Sequence, residues 1–150
     1  MLNFSRAIII FVLAGLGIFL ADQIFKWLFI EGFRHYGECV DLILVYNRGV
    51  AFSMFAFLEE SLKWIQIVLL IGVVGYTFWL RKNCYILPVG IMVGAGASNV
   101  FDRFVHGGVV DYVYWHCGFD FAVFNFADVM IDFAVVWLLI LNYRTRYCKN

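Results

Sequence analysis

The sequence predicts an all-α integral membrane protein, a single domain over residues 1–150 that crosses the bilayer with four helices. Three observations carry that prediction. Apolar residues make up 64% of the chain and charged residues 15%, whereas soluble domains run near half and a quarter. Water could not accommodate that much apolar surface on so short a chain. Four stretches reach the roughly 20 mostly apolar residues that a helix needs to cross a hydrocarbon core. The charges are also segregated: every basic cluster that flanks a span falls on one side, and all eleven acidic residues fall elsewhere.

The first span is expected at about 7–29, with Ala7–Ala21 free of polar residues. It is too long for a cleaved signal peptide, and no small-x-small cleavage site follows it, so it reads as a retained span. The second is expected at about 62–80 and the third at about 85–105. Pro88 falls in the first turn of the third, where its missing N–H costs least. The fourth is expected at about 124–141. Arg6, the Arg81-Lys82 pair, and the group Arg144, Arg146 and Lys149 then share one face of the membrane, which the positive-inside rule makes cytoplasmic. Both termini lie on that face.

Two segments remain outside. In the first, about 31–61, the β-branched and aromatic stretch Cys39–Tyr46 precedes the turn signal Asn47-Arg48-Gly49, which predicts an extended element on the membrane surface. The second, about 109–123, is short and rich in aromatic residues suited to an interface.

Composition excludes several function classes. Zero net charge leaves no basic footprint for nucleic acid. The four cysteines form no CxxC and no metal-ligand spacing, and a Cys39–Cys117 disulfide outside the cell is possible without being legible from the sequence. There is no GxSxG, no HExxH and no GxGD.

Polar residues inside spans are costly and usually functional. Asp22 and Lys26, four apart near the outer end of the first span, share a face and can pair. Asn99, Asp102, Arg103 and His106 share one face of the third span, and Gly90, Gly94 and Ser98 continue it inward as small residues that let helices approach. Asp102 and Arg103, as sequence neighbours, are expected to seek different partners. The short connection between the third and fourth spans brings Asp111 and Asp128 together. Asn125 is placed to cap the fourth helix, with Asp128 at its third position near the positive end of the helix dipole. Two close carboxyls share one proton and can activate a water and protonate an amide in turn, which is aspartic-protease chemistry. Taken alone, two aspartates at helix ends are equally consistent with capping.

Five blocks then stand in order along the chain: Asp22-Gln23-x-x-Lys26; Asn47-Arg48-Gly49-Val50-Ala51-Phe52-Ser53; Ser98-Asn99-Val100-Phe101-Asp102-Arg103; Gly108-Val109-Val110-Asp111-Tyr112; and Phe124-Asn125-Phe126-Ala127-Asp128. With these blocks the chain resembles the lipoprotein signal peptidases, or signal peptidase II. The resemblance implies a membrane aspartic endopeptidase of the bacterial cytoplasmic (inner) membrane, with its active site at the outer face. Such an enzyme removes signal peptides from prolipoproteins, cutting before a lipobox cysteine that already carries diacylglycerol. It implies Asp111 and Asp128 as catalytic. Asn47, Asn99, Arg103 and Asn125 would line the site and bind the substrate backbone, and Asp22, Lys26 and Asp102 would support it. It further implies a small extracytoplasmic β-cradle, a mobile lid carrying Phe52 and Phe55, no metal or cofactor, membrane lipid as surroundings and inhibition by globomycin.

Two positions depart from the family pattern. Ser98 stands where glycine is usual. Asp132, one turn deeper than Asp128 on the same face, stands where an apolar or small residue is usual. Asp132 is expected to be a buried acid bonded to the third helix, the alternative being a third carboxyl that perturbs the pair. Two rival functions, a small polar-core transporter and a non-catalytic membrane scaffold, also account for intramembrane charge. Against transport, the polar residues gather at the outer end and do not continue across the membrane.

Overall fold

Each of the four expected spans is a helix in the computed structural model, which describes residues 3–49 and 59–144. Helix α1 spans Phe4–Ile30 and is capped by Asn3, whose side chain accepts the Arg6 N–H at 2.9 Å. Helix α2 spans Glu59–Leu80 and ends where Arg81 turns into the left-handed region at φ +53°. A single 3-10 turn, Asn83–Tyr85, leads into α3 at Ile86–Val105. Helix α4 spans Phe126–Tyr143. It starts two residues later than the hydropathy suggests, because Asn125 is spent as the cap. All four helices are long and apolar enough to cross a membrane.

Helix α3 is the centre of the bundle and packs against α1, α2 and α4. Half of its apolar stretch is buried, against 6–11% in the other three spans. The outer helices therefore turn Leu13, Leu16 and Leu20, Val68, Leu69 and Ile71, and Val136, Leu139 and Ile140 outward, the surface that lipid covers in a bilayer. The stripe of small residues on α3 meets α1 at backbone contact. A Cβ added at Gly94 would lie 2.6 Å from the Gly15 Cα, and two helix backbones cannot yield as a flexible side chain would. Gly94→Ala is therefore expected to cost about 3 kcal/mol or more. A several-degree fall in the unfolding temperature of the purified protein checks this, and an unchanged temperature would contradict the packing.

The two segments expected outside the membrane pair. Strand β1, Val40–Asn47, runs antiparallel to β2, Val109–Trp115, as a two-stranded sheet. This is the predicted extended element, now with a partner. A bulge falls between Leu42 and Val45, where two residues of β1 oppose Tyr112 alone. One extra residue reverses which face the rest of the strand presents. Beyond the bulge Asn47 pairs with Val109, so its side chain lies on the same face as Asp111 and diagonal to it. Gly107, at φ +71°, ends α3 in a left-handed turn and starts β2. Cys39 and Cys117 are joined in a disulfide that ties the start of β1 to the chain leaving β2. Phe52 and Phe55, expected to belong to a lid, the end of the second sequence block, and the basic positions Arg146 and Lys149 lie outside the described residues.

Candidate active site

Three local features bring Asp111 and Asp128 to one place. Asp111 sits on β2, directly after the turn that leaves α3. The chain then doubles back, and Phe124 bonds to β2 through reciprocal hydrogen bonds with Val113 at 2.9 and 3.0 Å. This return sets Asn125 beside Asp111 just as α4 begins. At that start, Asn125 and Asp128 form a capping box: the Asn125 side chain accepts the Asp128 N–H at 2.9 Å, and the Asp128 carboxylate accepts the Asn125 N–H at 3.1 Å. The predicted cap and its third position are both present.

Asparagines hold the two carboxyl groups. Asp111 accepts one amide hydrogen bond from Asn125 at 2.7 Å and one from Asn47 at 2.9 Å, one on each oxygen. Asp128 accepts one from Asn99 at 2.9 Å, on the oxygen not used by the capping box. Asn125 also donates to the Asn99 side-chain oxygen and to the Val110 carbonyl, so a single amide bridges β2, α3 and α4. Burial pushes the Asp111 carboxyl up to about 7, with the charge of Asp128 adding to the rise and the Asn47 and Asn125 hydrogen bonds opposing it.

Beneath this pair lies a buried ionic cluster. Lys26 is 1% exposed and bonds Asp22 and Asp102, each at 2.6 Å, as well as the Asn99 oxygen at 2.8 Å. The remaining acceptor capacity of the two carboxylates is also taken up. Asp22 receives the Ser98 hydroxyl at 2.6 Å and the Ala127 N–H at 2.9 Å, and Asp102 receives the Gln23 amide at 2.8 Å and the Val110 N–H at 3.1 Å. This cluster joins α1, α3, β2 and the first turn of α4. Ser98, the departure from the family glycine, is thus a hydrogen-bonding member of the cluster as well as a small residue.

Arg103 seeks different partners from Asp102, as expected. It donates to the carbonyls of Arg48 and Gly49 and, through Nε, to the Gln66 side chain at 3.0 Å. It therefore ties the residues that follow β1 to the wall of a cavity of about 490 Å³. Asn47, Asn99, Arg103, Asp111 and Asp128 all line that cavity, together with the apolar segment 121–124 and Val129. Of the residues singled out in the sequence, Asn125 stands behind the cavity wall, and Asp22, Lys26 and Asp102 are buried beneath it.

Two findings differ from expectation. Asp132 lines the cavity too. It is exposed and makes no hydrogen bond or ion pair among the described residues, so it is not a buried acid bonded to α3. One helical turn below Asp128, its side chain follows the same face into open space. Gln66 was not anticipated as part of the site. Its signal was present as an isolated amide in an otherwise apolar span. Gln23 is tied in the same way to the ionic cluster.

The sequence profile described as signal peptidase (SPase) II matches residues 13–144. A lipoprotein signal peptidase of Sulfurimonas denitrificans is 63% identical over 97% of this chain and 95% of its own length. One from a Sulfurovum species is 53% identical over 92% of this chain and 95% of its own length. Another, from Wolinella succinogenes, is 52% identical over 89% of this chain and 90% of its own length. Among solved structures, a bacterial membrane enzyme determined by the in meso method superposes with a TM-score of 0.79 over 99% of this chain and 93% of that one. At 19% identity it supports the fold alone.

Proposed function

The chain belongs to the signal peptidase II family, multi-pass membrane aspartic peptidases that remove signal peptides from prolipoproteins, and on that premise we propose that Asp111 and Asp128 are its catalytic pair. The observation that carries this reading is their meeting at one cavity wall with every carboxyl oxygen held by a single hydrogen bond. Each oxygen keeps a lone pair for a water or a substrate.

The chemistry follows from one proton on two carboxyls. Asp111, raised to about 7 by burial and by Asp128, carries that proton below neutrality. Asp128, held by a backbone N–H and the Asn99 amide, acts as the base. Asp128 takes a proton from a water that attacks the scissile carbonyl carbon, while Asp111 gives its proton to the carbonyl oxygen. The tetrahedral diol then collapses. Asp128 passes its proton to the leaving nitrogen as the C–N bond breaks, and Asp111 recovers a proton from the diol.

In this reading Asn47, Asn99, Asn125 and Arg103 hold the substrate backbone and fix the carboxyls, and Asp22, Lys26 and Asp102 keep that array in register. The substrate is a diacylglyceryl-modified prolipoprotein, cut before the lipidated cysteine. A cavity walled by Phe121, Val123, Phe124 and Val129 suits acyl chains arriving sideways through the bilayer. Arg6 and the Arg81-Lys82 pair put the other ends of the spans in the cytoplasm. In this reading the site lies at the outer face of a bacterial cytoplasmic membrane, both termini are inside, and the whole chain acts as one membrane-embedded domain.

Processing of a diacylglyceryl prolipoprotein by the purified chain, blocked by globomycin, tests the reading, and no processing under conditions where a family member cuts the same substrate would reject it. A pH series supplies a second test. Because the Asp111 pKa is raised, the protonated form dominates below about 7 and is lost above it. The value of kcat/KM should therefore fall as pH rises through about 7. Linkage has the same sign: the contribution of Asp111 to folding stability is full below its ordinary value of 3.8 and is lost as pH rises through about 7. A rate that keeps rising well above pH 8 would place the essential proton elsewhere.

A further inference from the structure

The cavity that the aspartate pair lines is also lined by two polar side chains with capacity to spare. Gln66 of α2 uses its oxygen to accept Arg103 Nε at 3.0 Å, and its amide nitrogen has no partner among the described residues. Asp132 of α4 is exposed on the cavity wall and has none either. Nearly every other polar side chain around the site is committed to a neighbour, as the bonds of the asparagines, Arg103 and the ionic cluster require. A donor and an acceptor left open on two helices that line one cavity of a membrane protein cost free energy unless a polar group meets them.

We propose that Gln66 and Asp132 form a backbone-binding rung for the signal-peptide residues that precede the scissile bond. This rests on the peptidase reading above. A signal peptide enters from the cytoplasmic side, so its residues before the cut lie deeper than the aspartate pair. They must be extended to reach the carboxyls, and extended backbone inside a membrane has open N–H and C=O groups that need partners. Asp132 lies four residues below Asp128, about 6 Å along the helix. An extended chain advances about 3.3 Å per residue. The Asp132 carboxyl is therefore level with the peptide N–H one or two residues before the cut, and the Gln66 amide is available to a carbonyl of the same stretch. An apolar side chain at position 132 would leave that N–H unmet.

The test is kinetic, on purified full-length protein with a diacylglyceryl prolipopeptide. Asp132→Leu should raise KM about tenfold and leave kcat near the wild-type value, the loss expected for a bond to a charged or polar acceptor made equally in ground and transition states. Asp132→Asn, which keeps an acceptor oxygen, should restore most of the affinity. Independently of any variant, prolipopeptides in which an ester oxygen replaces the N–H at each of the two preceding positions in turn should bind the wild type less well. One of the two should lose about tenfold, and Asp132→Leu should not distinguish that ester from the amide. An unchanged KM in Asp132→Leu, or full affinity of the wild type for both esters, overturns the proposal. So does a fall in kcat with a displaced pH profile, which would make Asp132 a third member of the aspartate group. Wild-type cleavage of the all-amide substrate is the internal control: its absence rejects the peptidase reading, whereas its presence with insensitive variants rejects only the rung.

Discussion

Asp128→Asn and Asp111→Asn are each expected to lower kcat for prolipoprotein cleavage by about 10³- to 10⁴-fold while leaving the fold intact. Asparagine keeps the size of the side chain and one acceptor oxygen. At position 128 that oxygen can still accept the Asn125 N–H and preserve the capping box. What it cannot do is take a proton from water. At position 111 it cannot deliver one to a carbonyl oxygen. If the two groups share one proton as proposed, the double variant should be no slower than the worse single one, as expected for residues that work as a unit. An unfolding temperature within a few degrees of wild type for each variant separates lost chemistry from lost structure.

The second large effect concerns stability. Lys26→Met removes a cation bonded to both Asp22 and Asp102, which are themselves fully buried. Removing one partner of a buried ionic cluster typically costs about 3–5 kcal/mol, because the remaining charges are left uncompensated in a poor solvent for ions. The damage should also reach the site, since Lys26 holds the Asn99 oxygen and Asn99 holds Asp128. A large drop in unfolding temperature together with reduced cleavage is the expected result. Adding Asp22→Asn to Lys26→Met lowers the uncompensated charge and should recover part of the stability. Wild-type stability in Lys26→Met alone would mean that the cluster is solvated, against its burial.

Much of this arrangement was legible in the sequence, for identifiable reasons. Hydropathy located the four spans, and the segregation of Arg6, Arg81 and Lys82 from every acidic residue fixed their count. The spacing of Asp22 and Lys26 foretold their ion pair, and Asn125 three residues before Asp128 foretold the cap. Other features depend on geometry that no periodicity expresses. The contact of Asn47 with Asp111 needs both the strand pairing and the bulge after Leu42, and a one-residue slip would turn Asn47 to the other face. The Cys39–Cys117 disulfide joins residues 78 apart in sequence, and four cysteines allow three connectivities. Gln66 reads as a single tolerated amide in α2 until Arg103 is seen against it. The sequence shows the helical face of Asp132 but not what opposes that face. Where α3 was expected there is cavity.

In the proposed reaction one carboxyl pair at the membrane's outer face cuts a lipid-modified precursor before its lipidated cysteine. Mass analysis of the products formed by wild-type protein and by Asp128→Asn, side by side on one diacylglyceryl prolipoprotein, tests it most directly. The expected products are, for the wild type, a free signal peptide and a mature chain beginning at the lipidated cysteine, and intact precursor for Asp128→Asn over the same interval. Cleavage by Asp128→Asn at the wild-type rate, or a wild-type cut at another peptide bond, would contradict it.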